Sequence, residues 1–282
     1  MTTMIRRWLL CVLSMTLLVA PVLHAADSPV TTGELSLELV YPPSRPAGGD
    51  RYLLLYDPAS GPPPDPYRYW RIPDTVMLLP PEGAITVPIP SGTYWFSIAH
   101  KKPGTPLGPP STEEVFYLHA DEEGKARPVT IQGGKRLSLG RRTPVVWTPS
   151  RVEREKGITA VEGVVVDPGG KPLPGLFVFG STHDSPAGKP LYIADPTDAA
   201  GRFLLRVAEG GEYYLRARGV VGGGTPADGE YLSTLGEFAP VRVELKTGER
   251  RKGIRLVAYP LSRTPGNAPR RPAASSGGGT GP

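Results

Sequence analysis

Only one of the 282 residues is cysteine. Cys11 lies inside an apolar run, Trp8 to Val19, that follows Arg6 and Arg7 and gives way to a Pro21 to Ala26 break ending in small residues. That order of charge, apolar run and small residues predicts an export signal over residues 1–26. The run is too short to span a bilayer, so no membrane span is expected once it is removed. Trp8, Leu9 and Leu10 are too bulky to precede a lipid-attachment cysteine. The exported chain is therefore expected to carry no thiol, which excludes disulfides, Cys-ligated zinc, iron–sulfur clusters and thiol nucleophiles together. Histidine is nearly as scarce: beyond the signal only His100, His119 and His183 remain, none in a metal-spaced pair. No G-x-S-x-G motif occurs, and Ser36, Ser97 and Ser138 sit in plain strand contexts. No catalytic residue, metal or cofactor is expected, and the chain does not read as an enzyme.

An excess of one charge is also missing from the body of the chain. The formal net charge is +5, but Arg6, Arg7, Arg263, Arg270 and Arg271 lie in end segments that hold no acid. Without those five, the 32 Lys and Arg fall to 27, equal to the 27 Asp and Glu. A neutral body excludes the clustered basic footprint that nucleic-acid binding requires. Partners are expected instead to be another envelope protein or a polysaccharide, met in the periplasm or at the cell surface.

Helical periodicity is absent as well. Pro and Gly, 35 each, mostly punctuate short alternating segments, where turns belong. In "RFLLRVAEGGEYYLRARG", Phe203, Leu205 and Val207 alternate with Leu204 and Arg206; past a Gly210-Gly211 turn, Tyr213, Leu215 and Ala217 alternate with Tyr214, Arg216 and Arg218. "PVRVELKTGERRKGIRLVAY" repeats the scheme. Upstream, Leu35, Leu37 and Leu39, "RYLLLY", "AITVPI", "GTYWFSIA", "VFYLHA" and "RLSLG" behave similarly. Short strands at this spacing predict an all-β sandwich or barrel. The halves also match each other, Tyr94 with Tyr213 and Val129 with Val241, which predicts two tandem antiparallel β-sandwiches. Their expected extents are 33–146 and 159–260, joined by a linker over 147–158 and followed by a disordered tail over 261–282, where nothing apolar exceeds Ala or Pro in size after Leu261.

"VVVDPGGKPLPGLFVF" tests for a phosphate loop and fails. Such a loop opens a helix with free backbone N–H groups, whereas Lys171 is followed by Pro172, Pro174 and a strand. Asp167, Pro168, Gly169 and Gly170 read as a tight turn. The longer stretches "VEGVVVDPGGKPLPGLFVFG" and "TDAAGRFLLRVAEGGEYYLRARG" resemble the carboxypeptidase regulatory-like domain, a transthyretin-like (prealbumin-like) β-sandwich. Gly163, Asp167, Gly170 to Gly175, Thr197, Asp198, Gly201, Phe203, Gly211 and Tyr213 stand in the family's order. The resemblance covers residues 159–259; over 33–146 only the "PSGTYWFSIA" hairpin and the later strands carry it. It implies scaffold roles for these residues and a module without chemistry of its own. Enzymes on related sandwiches depend on a close H-x-H pair or a C-terminal Tyr-Arg-Gly-Ser, neither of which is present.

The expected function is thus a non-catalytic secreted or periplasmic scaffold or protein-interaction module of the cell envelope, with a carbohydrate-binding module as the alternative. Candidate binding residues come from "GPPPDPYRYWRIP": Tyr67, Tyr69 and Trp70 offer flat rings, Arg68 and Arg71 forked donors, a combination suited to sugar rings or a Pro-rich partner. The opposing reading of the same residues is a strand with Trp70 buried. "VVGGGTPADGEYLSTLGEF", from Val220, is a second candidate contact loop. Asp121, Glu122 and Glu123 read as a solvated hairpin tip.

Overall fold

The computed structural model describes residues 31–262 apart from 44–47, 82, 149–156, 186–187, 223 and 234–238. The expected signal, most of the expected linker and nearly all of the expected tail lie outside the described residues.

The first half builds nine strands: β1 (Thr32–Leu39), β2 (Arg51–Tyr56), β3 (Thr75–Leu79), β4 (Ile85–Pro90), β5 (Gly92–His100), β6 (Val115–Leu118), β7 (Val129–Ile131), β8 (Arg136–Arg142) and β9 (Val145–Val146). The second half builds nine more: β10 (Thr159–Val166), β11 (Phe177–Ser181), β12 (Tyr192–Ile193), β13 (Arg202–Val207), β14 (Gly211–Arg218), β15 (Tyr231–Leu232), β16 (Val241–Leu245), β17 (Arg250–Val257) and β18 (Tyr259–Pro260). The single helical element among the described residues is a short 3-10 turn, Pro58–Ser60.

Pairing shows the duplication strand by strand. Sheet order β4-β1-β8 is repeated as β13-β10-β17, and β3-β2-β5-β6-β9 as β12-β11-β14-β15-β18, with β7 on β5 and β16 on β14 in the same places. The match between halves needs one correction. Tyr94 pairs with Val129 and Tyr213 with Val243, so the counterpart of Val129 is Val243, two residues beyond the one matched from sequence. The pairing is antiparallel except in two ladders, β1·β8 and β10·β17, which are parallel. Each parallel ladder slips register once, and each slip is accompanied by a glycine with left-handed φ, Gly140 at 67° and Gly253 at 81°. Close approach explains Gly163, where a Cβ would stand 2.0 Å from the Ile254 carbonyl oxygen.

Four sheet layers enclose three cores. Leu35, Leu37, Ile85 and Ile89 meet Leu53, Leu55, Phe96 and Ile98 in the first sandwich. Val161, Val165, Phe203 and Leu205 meet Val178, Tyr213 and Leu215 in the second. Between the sandwiches the outer faces of the two six-stranded sheets close on each other, joining Leu54, Tyr56 and Phe116 to Phe177, Phe179 and Ile193. The sequence texture follows this layering. β1, ELSLEL at its core, alternates because one face meets water, whereas β2, RYLLLY, is apolar from Tyr52 to Tyr56 because both faces are covered. Trp147, expected in a linker, is 3% exposed and belongs to the junction core. Parting the sandwiches would expose at least six large apolar side chains, each worth about 1.5–3 kcal/mol, hence on the order of 10 kcal/mol. They form one body.

Candidate functional site: a groove at the sandwich junction

The connection between β2 and β3, residues 57–74, holds the five aromatic and arginine residues that the sequence nominated for binding. Local bonds shape it first. Asp57 accepts from Ala59 N at 2.8 Å, and the Asp65 carbonyl from Tyr69 N at 2.8 Å. The chain then crosses to the second sandwich. Ile72 N donates to Leu191 O (2.8 Å) and Ile193 N to Trp70 O (3.2 Å), with Arg71 opposite Tyr192, so residues 70–72 lie as an added strand on the outer edge of β12. Tyr69 enters the second core, edge-on to Tyr192 at 5.7 Å, and burial pushes its phenol pKa well up. Trp70 enters the junction core beside Phe116 at 5.5 Å.

Arg71 holds this strap. Its guanidinium, with a fully buried side chain, donates to Asp57 O (2.7 Å), Gly61 O (3.1 Å), Pro62 O (2.5 Å) and Asp74 Oδ2 (2.7 Å). The forked donor expected to meet a Pro-rich partner grips the chain's own proline segment. Lys189 Nζ of the second sandwich adds an ion pair to Asp74 at 2.7 Å. Burial alone would raise the Asp74 carboxyl; Lys189, the Asp57 N–H and Arg71 together hold it below its ordinary value. Arg206 Nη1 donates to Tyr67 O at 3.1 Å across the same junction.

The five nominated residues are therefore divided. Tyr67 and Arg68 are exposed, Tyr67 stacking on Trp147 at 5.0 Å; Tyr69, Trp70 and Arg71 lie inside. For these three the expected surface strip is corrected to an internal clasp, because the Tyr69 and Trp70 rings enter apolar cores and the Arg71 guanidinium finds four acceptors.

Beside the strap the two central sheets diverge and leave a groove of about 760 Å³. Leu54, Trp70 and Val76 form the wall on the first sandwich, Phe179 and Ile193 the facing wall, and Leu107 and Val221 reach in from loops. Among the described residues the lining includes Lys189, Arg216 and Arg218 and no carboxylate. Arg218 is paired behind the lining with Glu230 at 2.6 Å, and Arg216 donates to Ser185 O at 2.6 Å; burial lowers the Arg216 pKa. The loop starting at Val220 thus contributes to the groove through Val221 and Pro226.

One device holds both loops. Glu114 N donates to Ser111 O while Ser111 N returns a bond to Glu114 Oε2 (3.1 and 2.8 Å), and Glu230 does the same with Ala227 (3.1 and 2.9 Å). Lys101, buried with Glu114, closes the first at 2.5 Å as Arg218 closes the second. Burial works against the Glu114 carboxylate, yet bonds from Lys101, Ser111 and Thr105 hold its pKa below the ordinary value. Sequence reasoning missed these residues. The signal was a glutamate just ahead of a short apolar strand in both "EEVFYL" and "GEYL".

Among the described residues no cluster of three or more His, Cys, Asp or Glu is placed to hold a metal. His100 bonds Gly48 O at 2.8 Å, and His119 stacks on Phe96 at 5.1 Å. No described helix is long and apolar enough to cross a membrane.

No protein-family model and no curated protein matches this chain. Among solved structures it is similar to the Bacillus anthracis TIE protein, with 13% identity over 82% of this chain and 34% of that one at a TM-score of 0.26. The Streptococcal ancillary pilin gives 16% identity over 83% of this chain and 64% of that one, TM-score 0.23. The RrgB pilus protein of Streptococcus pneumoniae gives 10% identity over 84% and 48%, TM-score 0.26. The chain thus spans from about a third to just under two thirds of these proteins, and no residue role is carried across from them.

Proposed function

We propose that this chain is an exported, non-catalytic interaction module of the cell envelope, made of two carboxypeptidase regulatory-like, transthyretin-like sandwiches fused into one body that presents the junction groove to a partner protein. The groove carries the reading: apolar walls from both sandwiches under a cationic rim, at a size within the roughly 300–1,000 Å³ of binding pockets. The residues behind the family resemblance are consistent with scaffold roles. Asp167 closes its turn by accepting from Lys171 N at 2.8 Å, Thr197 Oγ1 ties Leu173 O to Leu176 N (2.7 and 2.9 Å), and Tyr213 donates to Glu209 O at 2.9 Å. The buried charges of the strap and loops, Arg71, Lys101 and Glu114, are committed to holding backbone. A polysaccharide platform would have only Tyr67 and Arg68 of its five residues at the surface.

The test is site-specific photocrosslinking in the source cell. A crosslinker at Val76, on the groove, is expected to trap a defined envelope protein, and one at Thr86, on the outer face of β4, to trap none. Equal trapping at both positions, or retention of the protein in the cytoplasm, refutes the reading.

A further inference from the structure

The groove opens at Val76, and Val76 belongs to β3, the outermost strand of the first six-stranded sheet. The duplication says what such an edge requires. Leu54 pairs with Val76 as Phe179 pairs with Ile193, so Ile193 is the counterpart of Val76. Ile193 lies under the added strand 70–72 and is 2% exposed; Val76 is 40% exposed, and Leu78, on the same face, 66%. Among the described residues no strand pairs with the far side of β3. Its five residues, TVMLL, contain none of the charges, prolines or bulges that ordinarily blunt a sheet edge.

We propose that β3 receives an extended segment of another protein as an added strand, its apolar side chains entering the groove and its acidic side chains meeting the cationic rim. This rests on the reading of the groove as a partner site. The mode is established within the molecule by residues 70–72 on β12, and the open edge continues that interface, since Pro73 and Asp74 lead directly from the strap into β3 and Trp70 shares a groove wall with Val76. Charge selects the occupant: among the described residues the lining supplies Lys189, Arg216 and Arg218 and no carboxylate, with Lys189 also paired to Asp74 and Arg218 to Glu230, so a segment whose groove-facing residues, every second one along the strand, include acidic as well as apolar side chains is complementary. β3 itself carries no acid, so a second copy pairing through it would set no acidic side chain of that strand against the rim. Main-chain bonds to the edge supply affinity, and the groove and rim supply selectivity.

The experiment titrates the full chain with two synthetic peptides of equal length, one repeating Thr-Val-Thr-Glu, the other Thr-Val-Thr-Lys, so that Val and the charged residue share one face of the added strand. Readouts are tryptophan fluorescence, with Trp70 in the groove wall, and hydrogen exchange of the β3 amides. The Glu peptide is expected to bind saturably and slow β3 exchange several-fold, the Lys peptide to bind at least tenfold more weakly. Leu78→Lys, at an exposed position, is expected to abolish binding, and Lys189→Gln to weaken it several-fold. Equal affinity for both peptides, or binding indifferent to Leu78→Lys, overturns the proposal. So does a dimer in sedimentation that Leu78→Lys disperses, which would assign the edge to a second copy. If neither peptide binds while Val76 still crosslinks to an envelope protein, strand addition is wrong and the partner-site reading stands; if both tests fail, both fall.

Discussion

Replacing Arg71 by Met removes a buried guanidinium while keeping most of its volume. Three carbonyl oxygens, of Asp57, Gly61 and Pro62, then lose a donor, and Asp74 loses one of its cations. Breaking a buried pair by deleting one partner costs about 3–5 kcal/mol. Asp74 keeps Lys189 and the Asp57 N–H, so the carboxylate is not abandoned, and the Asp57 carbonyl keeps Ser60 N, but the bonds that the structure shows offer the Gly61 and Pro62 carbonyls no such substitute. A loss of about 3–4 kcal/mol follows, which at about 2–4 °C per kcal/mol for a body of this size lowers the melting temperature by roughly 10 °C. The damage is local in origin. Once the strap loosens, Tyr69 leaves the second core and the edge of β12 opens, so hydrogen exchange at Tyr192 and Ile193 is expected to rise ahead of exchange in β10 and β17. Arg71→Lys should fall between wild type and Arg71→Met, because a point ammonium cannot span four acceptors. Melting within about 1 kcal/mol of wild type for Arg71→Met, or equal stability for Lys and Arg, would refute the account of the strap.

Other perturbations probe the remaining links. Glu114 has a folded pKa held below 4.5, so its stabilising contribution is complete above that value and disappears as pH falls through the folded pKa; limited proteolysis is expected to cut residues 102–113 first on acidification. Lys101→Met should cost about 3–5 kcal/mol by leaving the carboxylate buried without its cation, and Lys101→Met with Glu114→Leu considerably less, as a double-mutant cycle in urea will show. Gly163→Val drives a Cβ into the Ile254 carbonyl and is expected to lose at least about 2 kcal/mol by thermal denaturation, with increased exchange along β10·β17. Residues 159–262 produced alone expose Phe177, Phe179 and Ile193 and lack Tyr69, so they should bind an apolar dye and self-associate where the full chain does not.

Much of the fold was legible because half-buried strands announce themselves. β1, β4 and β14 alternate, and turns such as the one opened by Asp167 carry the residues that their dihedrals require. The site was less legible, and the reason is layering. A sequence read for alternation sees "RYLLLY" as one more strand, yet five apolar residues in a row are what a strand covered on both faces must be. Recognising that run, and "FVF" in β11, would have predicted a sheet-on-sheet junction in place of a tether. The aromatic-arginine stretch was singled out for its chemistry, but aromatic rings and forked donors serve an intramolecular contact as well as a ligand. Only the location of the partner edge, 121 residues beyond Arg71 at Tyr192, separates the two. Lys101, Glu114 and Glu230 were missed for the same reason: their meaning lies in loops folding back, which local spacing does not encode.

The two repeats share every strand and differ in what joins the second strand to the third. In the first repeat that connection is residues 57–74, long enough to leave its own sandwich and lie on the neighbour's edge; in the second it is residues 182–191, with no stretch resembling Tyr-Trp-Arg-Ile. The asymmetry gives the pair a direction. The second sandwich has its edge closed by the first, and the first keeps the corresponding edge, with Val76 and Leu78 uncovered. A duplication that left both edges open would invite indiscriminate sheet-to-sheet association, and one that closed both would leave no strand to offer. Closing one joins the sandwiches through a strap held by Arg71, and it leaves a single apolar strand beside a cationic groove as the place where an outside chain can continue the sheet.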